Sequence, residues 1–222
     1  MIRLDARFPR HAALWERVRG TPTPGELAHD GHHLGRVYGW AVRLAPEAGA
    51  DPDLSGAAAL VHDLVPIPKD DPARAEAGAL SARAAGPLLT ESGYADHEVV
   101  EICDAVATSS WSRGLMPNGP LGAVLQDADR LDALGAVGIA RTFATAQVMS
   151  RPAAPGRFYD PSDPLGATGR PLDDRLNAVD HFRRKLLTLA ATMHTPTANA
   201  EAARRHGTLV TFLDALSREA NV

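Results

Sequence analysis

The chain has 222 residues, of which 45% are hydrophobic, and its formal net charge at pH 7 is −4. This length allows one domain, or a domain with an extension, and a core that needs no disulfides. The charge excludes a general electrostatic attraction to nucleic acid or to an acidic membrane, and the single cysteine excludes an internal disulfide and a cysteine-rich metal site.

The first residues contain no apolar signal region, and no window approaches the length of a membrane span. We therefore expect a soluble, cytoplasmic protein, either a monomer or a homodimer, that binds neither nucleic acid nor membrane.

Apolar residues recur at helical spacing from the first third of the chain onward. Pro46 is expected to end the first of these helices, and Asp53 to cap the start of the second. The first four predicted helices cover residues 34–45, 54–64, 73–89 and 96–108.

The apolar pattern over residues 121–149 fits one long helix or two shorter ones, with Gly135 and Gly138 as the weak points. Two further amphipathic helices are predicted over residues 172–193 and 197–219. No segment alternates apolar and polar residues, so the predicted fold class is all-α.

A long loop over residues 150–171 contains five prolines. Loops of this length inside a compact domain are usually functional or mobile, so it either covers a site or joins the core to the C-terminal helices. We expect a single domain over residues 1–222, with residues 172–222 packed on its core.

Histidine and aspartate cluster at three separate places on the predicted helices. The first cluster spans residues 29–33, the second is the pair His62–Asp63 at a helix end, and the third is the run of residues 127–132. Imidazole nitrogens with carboxylate oxygens suit Mn²⁺, Fe²⁺, Mg²⁺ or Zn²⁺. Three clusters in one chain predict a metal site, although a single His-Asp pair occurs by chance.

Helical geometry selects among the aspartates of the third cluster. Successive residues turn by roughly 100° about the helix axis, so Asp127 and Asp129 point to nearly opposite sides. Asp129 and Asp132 are three residues apart and share a face. We therefore prefer Asp129 as a ligand with Asp132 in support, while Asp127 could pair with Arg130.

The order of these clusters resembles the HD superfamily of metal-dependent phosphohydrolases, which is defined by a histidine, a His-Asp pair and a later aspartate. The match begins at about residue 29 and continues to the C-terminus. A closer resemblance is to a bacterial subfamily of small HD-domain hydrolases that includes nucleoside triphosphate pyrophosphohydrolases. It rests on residues 29–37, 126–143, 181–187 and 205–206.

This resemblance implies an HD-domain helical bundle with a C-terminal helical extension. It also implies one divalent ion (Mn²⁺, Mg²⁺ or Fe²⁺, with Ni²⁺ or Zn²⁺ as alternatives). The implied metal ligands are His33, His62, Asp63 and Asp129.

The chain departs from this subfamily at Ser109, where similar proteins carry the histidine of a His-Ser pair. Histidines in this region help to hold a second ion in HD proteins that use two metals. The substitution therefore favours a single metal.

The expected reaction is hydrolysis of a small-molecule nucleotide, most specifically of a nucleoside or deoxynucleoside triphosphate to monophosphate and pyrophosphate. Asp63 or Asp30 would take the proton of the attacking water. Arg36 and Lys69 are expected to act at the catalytic centre and to bind phosphate. The remaining candidates for substrate binding are Arg130, Asp132, Lys185 and Arg205.

Two other interpretations compete with the enzyme. One is a regulatory HD module that binds a nucleotide or a metal without turnover, which the serine at Ser109 makes credible. The other is a helical scaffold with fortuitous His-Asp pairs, which predicts no tightly bound metal.

Overall fold

A computed structural model describes residues 2–21, 27–28, 30–67, 71–110 and 113–220. Within these ranges the chain is helical and contains no strand, only three isolated β-bridges. The all-α prediction is therefore confirmed. The α-helices are α1 Pro9–Val18, α2 Gly31–Ala48, α3 Pro52–Val61, α4 Ala77–Glu91, α5 Asp96–Ala107, α6 Gly119–Asp132, α7 Gly135–Met149, α8 Leu187–Leu189 and α9 Pro196–Ala220.

Helix α2 is longer than its apolar pattern predicts. It continues through Pro46 to Ala48, so the expected end at Pro46 is wrong. The helix stops at Gly49, which adopts φ 73° and donates its N–H to the carbonyls of Ala45 and Pro46. Glycine reaches this left-handed conformation without a Cβ clash, which makes it the terminating residue here.

Helix α3 is capped by Asp51 and not by Asp53, as the sequence had suggested. The Asp51 side chain accepts a hydrogen bond from the Asp53 N–H, and Pro52 occupies the first turn, where its missing N–H costs nothing. Every residue from Leu54 to Val61 is buried. The helix is therefore central to its part of the core.

The segment predicted as one helix or two forms the two helices α6 and α7. The break falls at Gly135, whose φ of 70° an L side chain rarely adopts. A Cβ on Gly138 would overlap the Ala133 carbonyl oxygen, so the chain packs closely after the break. Both predicted weak points thus lie at the junction, and Gly135 makes the turn.

The helix predicted over residues 172–193 forms only in its second part. Residues 180–192 are helical and include a π-helical turn at Phe182–Leu186, then α8 and a 3₁₀ turn at Ala190–Thr192, whereas residues 172–179 are not helical. The preceding residues wrap around the fully buried Asp180, which accepts hydrogen bonds from the Asp173 N–H (2.8 Å) and from both terminal nitrogens of Arg170 (2.7 and 2.6 Å). These contacts keep the backbone of the residues before Asp180 from forming a helix.

His11 of α1 is a second polar residue that is buried in the fold. Its side chain is fully buried, with Nε2 2.8 Å from the Asp53 carbonyl oxygen and Nδ1 2.8 Å from the Tyr38 hydroxyl. Since a carbonyl only accepts, Nε2 carries the proton and Nδ1 accepts from Tyr38. Burial lowers the pKa of His11, against the opposing effect of Asp53.

The chain divides into two compact units. The first comprises Met1–Gly25 and His29–Arg130, and the second comprises Glu26–Ala28 and Leu131–Val222. The expected single domain over residues 1–222, with its C-terminal helices on the core, stays a prediction. No helix in the described ranges is both long enough and apolar enough to cross a membrane.

Candidate metal centre

His33 lies in the first turn of α2 and is almost fully buried. Asp30, the residue before the first residue of α2, caps this helix, and its Oδ1 accepts a hydrogen bond of 2.9 Å from the His33 N–H. The cap fixes the backbone from which the imidazole projects. Asp30 was predicted to accept the proton of the attacking water. One of its two carboxylate oxygens is already used to cap α2.

His62 and Asp63 follow directly after the last residue of α3. The His62 side chain is 3% exposed, and its Nδ1 lies 2.9 Å from the Ala59 carbonyl oxygen. Because that carbonyl can only accept, Nδ1 carries the proton and the Nε2 lone pair is available. Within the described residues, Nε2 is buried and has no hydrogen-bond partner. This is the tautomer that binds a metal through Nε2.

The third element is α6, which contributes Asp129. Its Oδ1 lies 3.8 Å from His33 Nε2 and 3.9 Å from His62 Nε2. The Asp63 Oδ2 lies 3.6 Å from each of the same two nitrogens. Side chains from three elements of the first compact unit therefore converge at one place.

These separations fit a shared ion better than direct hydrogen bonds. A hydrogen bond between nitrogen and oxygen is usually about 2.7–3.2 Å long. Ligand atoms that each lie about 2.0–2.2 Å from one ion are instead roughly 3–4 Å from one another. One ligand atom from each of His33, His62 and Asp129 lies within 4.8 Å of the others. The donor set of imidazoles and carboxylates also suits a divalent metal.

The two aspartates of α6 differ as helical geometry predicts. Asp127 is fully buried, whereas the Asp129 side chain is 34% exposed and faces the histidines. Arg130, which follows Asp129 on α6, is 7% exposed. Burial lowers the pKa of the Arg130 guanidinium, and the charges of Asp127 and Asp129 oppose that effect.

The other predicted site residues have varied surroundings. Arg36 is half-buried one turn after His33 on α2. Lys69 lies outside the described residues. Lys185 is half-buried in the π-helical turn of the second unit.

Two further candidates have structural contacts in the second unit. Asp132 is 1% exposed and forms an ion pair of 2.9 Å with Arg141. Arg205 donates to the Leu131 carbonyl oxygen and to Glu201, both at 2.6 Å. Their roles in substrate binding stay predictions.

Sequence reasoning missed Arg141, which also donates to the Ala28 carbonyl oxygen at 2.7 Å. Arg141 and Ala28 are 113 residues apart, so no local pattern could reveal the contact. At the position where similar proteins carry histidine, Ser109 is buried, and its hydroxyl donates to the Val106 carbonyl oxygen at 2.9 Å. The serine thus closes the end of α5.

Comparison with known proteins agrees with this geometry. The HD domain family matches residues 31–134, the range that carries all four proposed ligands. The Bacillus subtilis protein YpgQ is 33% identical over 207 residues, which are 91% of this chain and 89% of YpgQ.

Solved structures resemble the chain over nearly its whole length. The structure of Bacillus subtilis YpgQ in complex with ADP has a TM-score of 0.70 at 30% identity and covers 94% of this chain and 97% of its own. A Lactobacillus plantarum protein has a TM-score of 0.71 at 28% identity and covers 98% of both chains. An HD-superfamily hydrolase from Bacillus thuringiensis has a TM-score of 0.67 at 28% identity and covers 96% and 97%.

HD domains bind divalent metals, and here His33, His62 and Asp129 form a possible site. The identity to YpgQ over most of both chains, together with the family match, establishes the relationship. The chain belongs to the HD superfamily of hydrolases.

Proposed function

We propose that this protein hydrolyses a nucleoside or deoxynucleoside triphosphate to the monophosphate and pyrophosphate. One divalent ion would be held by His33, His62, Asp63 and Asp129. The observation that carries the proposal is the convergence of two imidazole Nε2 atoms and two carboxylate oxygens at separations of 3.6–3.9 Å.

Such an ion, when bound, lowers the pKa of a coordinated water and neutralises charge on a phosphate oxygen. The protein's part is to orient both imidazoles. For His62 the Ala59 carbonyl accepts a hydrogen bond from Nδ1, which directs Nε2 to the ion. Asp63, or the Asp30 oxygen that does not cap α2, would accept the proton of the attacking water.

The phosphate groups need cations besides the metal. Arg36 shares a helix face with His33, and the buried Arg130 adjoins Asp129, so both are proposed phosphate contacts. Lys69, Asp132, Lys185 and Arg205 complete the proposed substrate-binding set. The YpgQ complex with ADP supports a nucleotide as the ligand class.

The second candidate function is a regulatory module that binds a nucleotide or metal without turnover. The observation in its favour is Ser109, a buried serine that donates to its own helix where similar proteins carry histidine. The proposed metal ligands are all present, so we place hydrolysis first.

The test is a screen of nucleoside tri-, di- and monophosphates and cyclic nucleotides with Mn²⁺, read by product chromatography. Wild type should release pyrophosphate from a triphosphate. Loss of residues that merely support metal ligands costs 10–100-fold, so we expect Asp63→Ala to lose roughly 100-fold or more. The exposed Asp214 on α9 provides the matched control Asp214→Ala, which should keep full activity.

Binding of nucleotide by wild type without any product would favour the regulatory module. Full activity of Asp63→Ala would refute the ligand assignment.

A further inference from the structure

Gln126 is a fully buried polar residue of α6, one turn before Asp129. Its Nε2 donates to two backbone carbonyl oxygens of the segment after α5, those of Thr108 (2.8 Å) and Leu115 (3.1 Å). Its Oε1 accepts a short hydrogen bond from Nη2 of Arg130. Every polar end of this amide is therefore used.

The orientation of the amide follows from its partners. Both carbonyl oxygens can only accept and the guanidinium can only donate, so a flipped amide would lose all three contacts. The two carbonyls thereby force Oε1 toward Arg130. An amide fixed in this way holds the Nη2 edge of the Arg130 guanidinium in one direction.

Arg130 needs such a partner because it is buried beside charged groups. It is 7% exposed, and the carboxylates of Asp127 and Asp129 act on its charge. The short hydrogen bond from Nη2 to Gln126 Oε1 sets the direction in which that edge of the guanidinium points. Gln126 and Asp129, three residues apart, lie on nearly the same face of α6.

We infer that Gln126 is a positioning residue that orients Arg130 beside the proposed ligand Asp129, with its own amide fixed by the carbonyls of Thr108 and Leu115. The inference deepens the proposed function, since it assumes that Arg130 contacts the phosphates. Gln126 itself has no proposed contact with the substrate.

Two substitutions at Gln126 separate its contacts. Gln126→Met keeps the length of the side chain and removes every hydrogen bond. Gln126→Glu keeps an acceptor for Arg130 and removes the donor to the two carbonyls. The only other glutamine, Gln147, is exposed on α7, so Gln147→Glu is the matched control for the isosteric change.

The first readout is independent of activity. Nitrogen-15 NMR of the arginine side chains reports rotation about the Cζ–Nη bonds of Arg130. This rotation should be slow in wild type, in Gln126→Glu and in Gln147→Glu, and faster in Gln126→Met. Unchanged slow rotation in Gln126→Met would overturn the inference.

The second readout is a double-mutant cycle in kcat/KM with Arg130→Lys. Hydrogen bonds to charged groups contribute about 1.5–3 kcal/mol, so Gln126→Met should lower kcat/KM at least about tenfold. In the Arg130→Lys background the same change should cost less than about threefold, because the planar guanidinium that Gln126 orients is gone. Gln126→Glu should lose less than Gln126→Met.

Two kinetic results would overturn the inference: losses that multiply independently in the double variant, or a Gln126→Glu loss as large as that of Gln126→Met. If Gln126→Met fails to fold, the cycle of Gln126→Glu with Arg130→Lys decides the matter, since independent losses there would equally overturn the inference. Absence of nucleotide turnover in wild type would refute the proposed function alone, and the NMR comparison would still decide the role of Gln126.

Discussion

Gly56 on α3 packs closely against the buried histidine of α1. An ideal Cβ at this position would lie 2.5 Å from Cε1 and 3.0 Å from Nε2 of His11, and 2.9 Å from Cε2 of Tyr38. The imidazole cannot swing aside, since both its nitrogens are hydrogen-bonded, to Tyr38 and to Asp53. The substitution Gly56→Ala therefore forces either a helix shift or the loss of those bonds.

The expected cost can be estimated from its parts. Overpacking a filled core costs about 1–3 kcal/mol. Two weakened buried hydrogen bonds add about 1 kcal/mol each. Replacing glycine by alanine in a helix stabilises the helix by about 1 kcal/mol, which offsets part of this cost. We expect Gly56→Ala to lower the free energy of unfolding by about 2–4 kcal/mol.

The assay is urea unfolding followed by far-UV circular dichroism, with Gly39→Ala as the control. Gly39 lies in the exposed part of α2, and a Cβ there would meet no atom within 4 Å. Gly39→Ala should be neutral or stabilising by up to about 1 kcal/mol. Equal stability of the two variants would refute the packing described around His11.

Two other perturbations test features of the fold. Since burial lowers the pKa of His11, its neutral form stabilises the protein above pH 6.5, and stability should fall as pH drops below 6.5. In urea unfolding at pH 7.5 and 5.5, His11→Gln should show a smaller difference than wild type; an equal difference would contradict this. Arg170→Met leaves the buried Asp180 without its ion-pair partner, which costs about 3–5 kcal/mol. Limited proteolysis should then cut residues 150–171 faster than in the exposed control Arg175→Met, and equal rates would count against the Arg170 contact.

The helical periodicity of the sequence was sufficient to predict which way side chains point where a helix buries one continuous apolar stripe. Helix α6 is an example, because its stripe of Leu121, Leu125 and Ala128 fixes which way its aspartates point. The difference between Asp127 and Asp129 could therefore be worked out from residue spacing alone. The convergence with His33 is a tertiary contact: the three clusters of histidine and aspartate predicted a metal site, and the resemblance to a known family named its ligands.

Prediction failed where a buried polar group organises the backbone. Residues 172–179 have a helical apolar pattern, yet Asp180 draws the Asp173 N–H and the Arg170 guanidinium around itself. The burial of His11 could not be predicted for a related reason, since its partner Asp53 is 42 residues away. Local spacing contains no information about such pairs.

The central claim is that two imidazoles from different helices bind one divalent ion. Electron spin-echo spectroscopy of the Mn²⁺-loaded protein measures this directly by counting coordinated imidazole nitrogens. We predict one ion per chain with two such nitrogens, and one nitrogen in each of His33→Ala and His62→Ala. A nitrogen signal that is absent from wild type, or unchanged in both variants, would contradict the account.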